Sequence, residues 1–236
     1  MSASHTMPDR AHTATPRTHH AARHQLVWLD AGGWQEVLAA APPEHRPALQ
    51  QWQQQQAPLV VRRHEPDARA DQICLGLPLP PDAVSGNKLR IGLKVQRTHI
   101  ARIKPALPLH LALTVQQPWH DALLEFARAA RPLALQVYGS LAMQVLTGLP
   151  YLSASSDIDL LFHPRSASQL ELGLALLAEY AQRLPLDGEI VFPDDQAVAW
   201  KEWRLACSTQ AKVLVKSGAT VRLCDTASLL ATLEQS

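Results

Sequence analysis

The stretch VYGSLAMQVLTGLPYLSASSDIDLLF, residues 137–162, constrains the fold of this chain more than any other. It sets a Gly-Ser pair, Gly139–Ser140, ahead of two aspartates, Asp157 and Asp159, one residue apart in apolar β-forming text. On a strand, residues i and i+2 leave the same face, so the two carboxylates lie within reach of one cation. Two such groups in low dielectric raise each other's pKa unless positive charge compensates, and hard oxygen ligands select Mg²⁺ or Mn²⁺. LALQVY before the Gly-Ser pair reads as a strand, and LAMQVLT after it as a short helix that Gly148 stops. Gly139–Ser140 thus falls at a helix N-terminus, where glycine permits close approach and the N–H groups favour phosphate. Phosphate beside carboxylate-held metal is the setting for phosphoryl or nucleotidyl transfer. Ser156 has the simpler task of bonding the turn that precedes the strand.

The surrounding text alternates strands and helices. DIDLLF is a strand, and residues 166–184 form a long amphipathic helix with a serine cap. GEIVF, a Pro-Asp-Asp turn and AVAWKEW together read as a hairpin carrying Trp200 and Trp203, and DTASLLATLEQ closes the chain as a helix. This order predicts an α+β domain of α/β-like character over residues 116–236.

The preceding residues, 23–115, read as a smaller β-rich domain: HQLVWL, PLVVRR, ICLGLPL and KLRIGLKVQ are short apolar runs separated by Pro and Gly, with a polar Gln- and Ala-rich stretch between the first two. In the last run Leu89, Ile91, Leu93 and Val95 share one face, and Lys88, Arg90 and Lys94 the other. The cationic face is suited to phosphates, to an acidic protein, or to plain solvation at a sheet edge. Charge is divided along the chain. Up to Val115 there are 13 Lys/Arg against 8 Asp/Glu, and beyond it 9 against 13, or +5 and −4. The N-terminal half is therefore expected to meet something anionic while the C-terminal half holds the acids.

Residues 1–22, with His5, His12, His19 and His20 and no apolar segment, read as a disordered tail. Cys74, Cys207 and Cys224 form no CxxC pair, which fits a reducing, cytoplasmic compartment. No stretch is apolar over the roughly 18 residues of a membrane span, and no aromatic residues interleave with the cations as a nucleic-acid platform requires.

Gly-Ser, helix and Asp-x-Asp strand in this order resemble the nucleotidyltransferase superfamily. That resemblance implies a mixed sheet with helices and a third carboxylate on a neighbouring strand. Glu189 in GEIVF is the candidate, with Asp187 on the same face as the alternative. Together with HQLVWL and AVAWKEW, the segment from Tyr138 to Leu161 resembles the phosphoribosyl-dephospho-CoA transferases that serve malonate decarboxylase, also described as its holo-acyl-carrier-protein synthases, over residues 23 to about 230.

The family implies transfer of phosphoribosyl-dephospho-CoA from triphosphoribosyl-dephospho-CoA to a serine of the acyl-carrier subunit, with release of pyrophosphate. Asp157 and Asp159 would bind Mg²⁺ or Mn²⁺, Glu189 would assist catalysis, and Gly139 and Ser140 would cradle the triphosphate. Lys88, Arg90, Lys94 and Lys201 are the expected substrate contacts. Met143 and Lys201 depart from the tryptophan and arginine commoner in the family, and a lysine cannot reproduce a bidentate arginine–phosphate contact. The alternatives are another metal-dependent nucleotidyltransferase that uses ATP, and a non-catalytic carrier-binding scaffold. Retention of two costly paired acids argues against the scaffold.

Overall fold

The computed structural model describes residues 21–82 and 84–234. The expected tail lies outside the described residues up to position 20. The first sheet is antiparallel and contains β1 (Leu26–Leu29), β2 (Leu59–Val61), β3 (Gln72–Pro78), β4 (Arg90–Gln96) and β5 (Ile100–Lys104) in the spatial order β4-β3-β2-β1-β5. In β4 the alternation holds: Ile91, Leu93 and Val95 are buried while Arg90 and Gly92 are exposed.

The segment between β1 and β2, read from sequence as a polar connection, instead folds into helices α1 (Ala31–Ala40) and α2 (Arg46–Gln54). Trp34 with Val37, and Leu49 with Trp52, are spaced three apart, so each pair turns to one side of its helix and joins the core that contains Ile91 and Val95. Asp30 starts α1, its Oδ1 accepting from Gly33 N at 2.7 Å. The glutamines of α2 that dominate the composition there mostly face solvent.

The remaining elements are β6 (Leu107–Pro108), α3 (His120–Ala129), β7 (Gln136–Val137), α4 (Gly139–Thr147), β8 (Ile158–Phe162), α5 (Ala167–Tyr180), β9 (Leu186–Phe192), β10 (Gln196–Ala199), α6 (Trp200–Thr209), β11 (Val213–Lys216), β12 (Val221–Cys224) and α7 (Thr226–Glu234). Their strands form a seven-stranded sheet in the order β12-β11-β10-β9-β8-β7-β6, in which β8 and β9 are parallel and the other pairs antiparallel. The chain is α+β, a β-rich N-terminal sheet followed by a larger mixed sheet with helices. Among the described residues no helix is long and apolar enough to cross a membrane.

Gly148, at φ +71°, ends α4, and Ser166 Oγ caps α5 by accepting from Gln169 N at 3.1 Å. One expectation is corrected. The hairpin β9–β10 stops at Ala199, and WKEW begins α6, so Trp200 and Trp203 are helical core residues. Trp203 packs on Phe192 with ring centroids 4.8 Å apart, a burial that the spacing of three between Trp200, Trp203 and Ala206 favours over a strand's alternation. Residues 213–224 add the hairpin β11–β12, to which the sequence reading assigned nothing.

The two sheets meet through α4 and the loop after it. Met143 and Tyr151 bury against the N-terminal core, and the Tyr151 hydroxyl donates to the Pro78 carbonyl at 2.7 Å. The helix that begins at Gly139 is thereby tied to the end of β3, and a cleft opens beside this contact.

Candidate active site

The short strand β7 delivers the chain to Tyr138, whose N–H donates to the Asp159 carbonyl at 3.0 Å. The next residue, Gly139, has φ +66°, and a Cβ placed on it would lie 2.0 Å from Asp159 Oδ2. Only glycine permits both the left-handed backbone and the close approach. Ser140 opens α4, and its hydroxyl accepts from Lys88 Nζ at 3.1 Å. On the other side, Ser156 is buried and its Oγ accepts from Ser153 N at 2.9 Å, closing the turn that delivers Asp157 to the head of β8. That is the structural role expected of it.

The parallel register pairs Asp159 with Asp187 and Leu161 with Glu189, so all of these side chains leave one face of the sheet. The tight fit of β9 against β8 depends on Gly188, at φ +129°, whose absent Cβ would meet the Leu160 carbonyl oxygen at 2.0 Å. Burial, and then the negative charges of Asp187 and Asp157, push Asp159 up to about 6, against a partial opposing pull from Lys88 and Arg90. This corner of the site is short of positive charge.

Glu189 is in the opposite condition. It is 6% exposed, and Arg23 Nη2 donates to its two oxygens at 3.0 and 2.9 Å. Lys216 Nζ donates at 3.2 Å, and His24 Nε2 lies 3.3 Å from Oε2. Burial raises its pKa, but the contacts from His24 and Arg23 outweigh burial and hold it at about 2. His24 is itself lowered, by burial first and against the pull of Glu189. Its ring lies on Tyr138 at a centroid distance of 4.0 Å.

The cleft between the sheets has a volume of about 540 Å³, within the range of small-molecule sites. Tyr138, Gly139, Ser140 and Asp159 line its catalytic-sheet side, and Lys88, Arg90, Arg62 and Arg63 its N-terminal side. Arg63, Lys88 and Arg90 form no ion pair with a carboxylate among the described residues, whereas Arg62 pairs with Glu65.

The structure therefore brings together Gly139, Ser140, Asp159, Lys88 and Arg90, with Asp157 and Asp187 close enough to charge the corner. Two expected contacts lie outside the cleft lining, Lys201 beside the acidic corner and Lys94 away from it. Lys94 pairs with Glu65 at 3.0 Å and Asp67 at 2.5 Å, outside the cleft lining. Lys201 is 57% exposed and sits 3.5 Å from Asp187. Arg23, His24, Arg62 and Arg63 were missed. The last two stand as an Arg-Arg pair directly after the PLVV strand, a signal that sequence reasoning had available, whereas nothing in the text marks Arg23 and His24.

Among the described residues no group of three or more His, Cys, Asp or Glu side chains is arranged to hold a metal ion. Mg²⁺, however, needs only one or two carboxylates when substrate phosphates complete its shell. The negative charge around Asp159, only partly offset by Lys88 and Arg90, fits such a cation, and Asp157 and Asp159 are the residues that would hold it.

Fold and cleft define a two-sheet α+β protein with an acidic corner and a cationic wall facing each other across one cleft. A family model described as phosphoribosyl-dephospho-CoA transferase MdcG C-terminal domain matches residues 106–227, and one described as the MdcG N-terminal domain matches residues 22–106. The chain belongs to the phosphoribosyl-dephospho-CoA transferase family. It is 40% identical over 217 residues to the phosphoribosyl-dephospho-CoA transferase of Xanthomonas euvesicatoria pv. vesicatoria (strain 85-10), covering 89% of this chain and 96% of the relative. A protein of the same name from Bradyrhizobium diazoefficiens is 35% identical over 209 residues, 86% of this chain and 89% of the relative. Another, from Azotobacter vinelandii, is 31% identical over 218 residues, 85% and 91% respectively. No solved structure matches the chain significantly.

Proposed function

We propose that this chain is a nucleotidyltransferase-type enzyme that moves phosphoribosyl-dephospho-CoA from triphosphoribosyl-dephospho-CoA to a serine of the acyl-carrier subunit of malonate decarboxylase. The observation that carries the reading is the seating of Gly139 against Asp159 in a cationic cleft. It sets a phosphate-binding helix start beside an acidic corner short of positive charge, and the names of the relatives supply the group transferred.

In this reading the Gly139–Ser140 helix start and Lys88 hold the donor's triphosphate, and Arg90 balances its charge. The carrier's serine oxygen attacks the α-phosphorus. A phosphodiester bond forms, the bond between that phosphorus and the bridging oxygen breaks, pyrophosphate leaves, and the serine proton passes to solvent. Mg²⁺ or Mn²⁺ held by Asp157 and Asp159 would neutralise charge on the reacting phosphates. Asp187, in register with Asp159 and contributing to its raised pKa, takes the third acidic position in preference to Glu189. Glu189, neutralised by Arg23, His24 and Lys216, instead anchors the start of β1 to the catalytic sheet and acts by positioning.

The test is intact-protein mass spectrometry of the apo carrier subunit with this protein, Mg²⁺ and triphosphoribosyl-dephospho-CoA, with ATP in a parallel tube. A mass gain of one phosphoribosyl-dephospho-CoA, abolished in Asp159→Asn, is expected. A nucleotide adduct with ATP alone would replace the donor and keep the site. No adduct in either tube would favour a carrier-binding scaffold.

A further inference from the structure

The cleft has a second half that the transfer chemistry does not use. The antiparallel register sets Val60 beside Gly76 and Gly76 beside Gly92, one row across β2, β3 and β4 on the face turned to the cleft. Two of the three residues in that row have no side chain. The opposite face of the same strands is core, with Leu59, Leu75, Leu77 and Ile91 buried. An open sheet face would ordinarily carry side chains, so the bare row leaves a flat floor of backbone beneath the cleft.

The rim of this floor is chemically divided. Pro78, Leu79 and Val60 give apolar edges, and Arg62 and Arg63 stand at the end away from Lys88 and Ser140 in chain order and in strand pairing. Arg62 crosses the floor. A Cβ on Gly92 would lie 2.1 Å from Arg62 Nη1, and one on Gly76 would lie 3.7 Å from its Cδ, so the glycine row is what lets the Arg62 side chain pass this close to the sheet. A planar guanidinium offers both a stacking face and a bidentate phosphate contact.

We infer that the Val60–Gly76–Gly92 floor and the Arg62–Arg63 rim form a subsite for the dephospho-CoA portion of the donor, an inference that rests on the donor proposed above. That donor carries two separate phosphate groups: the triphosphate that reacts, and the diphosphate inside dephospho-CoA. The cleft carries two cation groups to match, Lys88 with Arg90 near Asp159, and, beyond the floor, Arg63 with Arg62, which also pairs with Glu65. The Arg62 guanidinium over Gly92 gives the adenosine a face to stack on, and the glycine row leaves room beside it for the thin pantetheine chain. ATP, with one phosphate chain, leaves the second cation group without a partner, so the floor is also the element that distinguishes the two donors.

Dephospho-CoA lacks the triphosphoribosyl arm and reads this subsite alone, while Mg²⁺-pyrophosphate reads the Ser140 end. Gly76 suits the test because a new Cβ meets Arg62 Cδ at 3.7 Å and the Val60 carbonyl oxygen at 3.9 Å, both ordinary contacts, and its φ is not left-handed. In isothermal titration calorimetry on the full chain, Gly76→Val and Arg63→Glu are each expected to weaken dephospho-CoA binding at least about tenfold. Pyrophosphate affinity is expected to stay unchanged. Unaltered dephospho-CoA affinity in Arg63→Glu, or in a Gly76→Val protein with native circular dichroism, overturns the subsite; if Gly76→Val does not fold, Arg63→Glu decides. A wild type that transfers from the intact donor but does not bind dephospho-CoA also overturns the floor and leaves the transfer reading standing. A wild type that binds dephospho-CoA in a Gly76- and Arg63-dependent way but modifies no carrier upholds the floor and overturns the transfer.

Discussion

Gly139→Ala tests the centre of the site, and the protein supplies its own control in Gly148. Both glycines have left-handed backbones, at φ +66° and +71°, so alanine at either position costs about 1 to 2 kcal/mol of backbone strain. For a chain of this size that corresponds to a fall of about 2 to 8 °C in melting temperature. The two sites differ in what the new methyl meets. At Gly148 nothing lies within 4 Å, whereas at Gly139 the methyl falls 2.0 Å from Asp159 Oδ2.

Carbon contacts below 3.0 Å essentially do not occur, so the carboxylate has to retreat by about 1 Å, from 2.0 to 3.0 Å or more. Misplacement of a reacting group by about 1 Å costs on the order of a hundredfold in rate. Gly139→Ala is therefore expected to lose about two orders of magnitude in carrier modification, followed by intact-mass spectrometry, while Gly148→Ala stays close to wild type. Thermal melts of the two variants should both fall. A Gly139→Ala rate within about threefold of wild type, under about 1 kcal/mol of barrier, would show that Asp159 need not stand where it does.

Asp159→Asn should stabilise the protein without divalent metal. A folded pKa of about 6 lies above the ordinary 3.8, so ionised Asp159 costs stability once pH rises through that interval. The expected gain is about 2 to 3 kcal/mol at pH 8 in EDTA, vanishing near pH 4, by urea denaturation. Added Mg²⁺ should raise the melting temperature of wild type and not of the variant. Glu189 has the opposite sign: its folded value of about 2 lies below the ordinary 4.5, so its contribution is full at pH 7 and is lost as pH falls from about 4.5 toward 2. Glu189→Gln should destabilise on the order of 3 kcal/mol at pH 7, with the gap to wild type closing near pH 2. Among the lysines, Lys88→Ala should raise the donor KM by about tenfold, whereas Lys94→Ala, which breaks its pairs with Glu65 and Asp67 outside the cleft lining, should leave transfer kinetics within about twofold of wild type. A large effect at Lys94 would place the donor on a different surface.

The most legible parts of the sequence were those whose chemistry is local. Gly148 ending α4, Ser166 capping α5 and the alternation of β4 each follow from a few neighbouring residues. So does the pairing of Gly139–Ser140 with Asp159, because a positive-φ glycine and a strand carboxylate announce themselves in text. The failures have a common cause. Trp200 and Trp203 follow a true strand without a break, and only packing against Phe192 decides where β10 stops. Helices α1 and α2 bury few residues each, so their glutamines masked a spacing of three. Lys94 looked equivalent to Lys88 and Arg90, and it is Asp67, remote in sequence, that neutralises it. Arg23 and His24 could not be found at all, since their partner Glu189 stands 166 and 165 residues away.

The charge asymmetry of the chain acquires a physical meaning at the cleft. Of the cations that act on the acidic sheet, Arg23, Lys88 and Arg90 come from the N-terminal half and Lys201 and Lys216 from the C-terminal half, whereas the carboxylates Asp157, Asp159, Asp187 and Glu189 all come from the latter. Without the N-terminal half the acidic sheet would set only Lys201 and Lys216 against four carboxylates, so the site is electrostatically complete only when both sheets are docked. The two acids in greatest need of compensation receive it differently. Glu189 takes its charge from protein and becomes a fixed strut, while Asp159, only partly offset by Lys88 and Arg90, keeps the deficit that a metal ion and a phosphate chain together can fill. Charge deficit and docking are thus divided between neighbouring strand positions on one face, and that division gives two acids in similar sheet surroundings pKa values of about 6 and about 2.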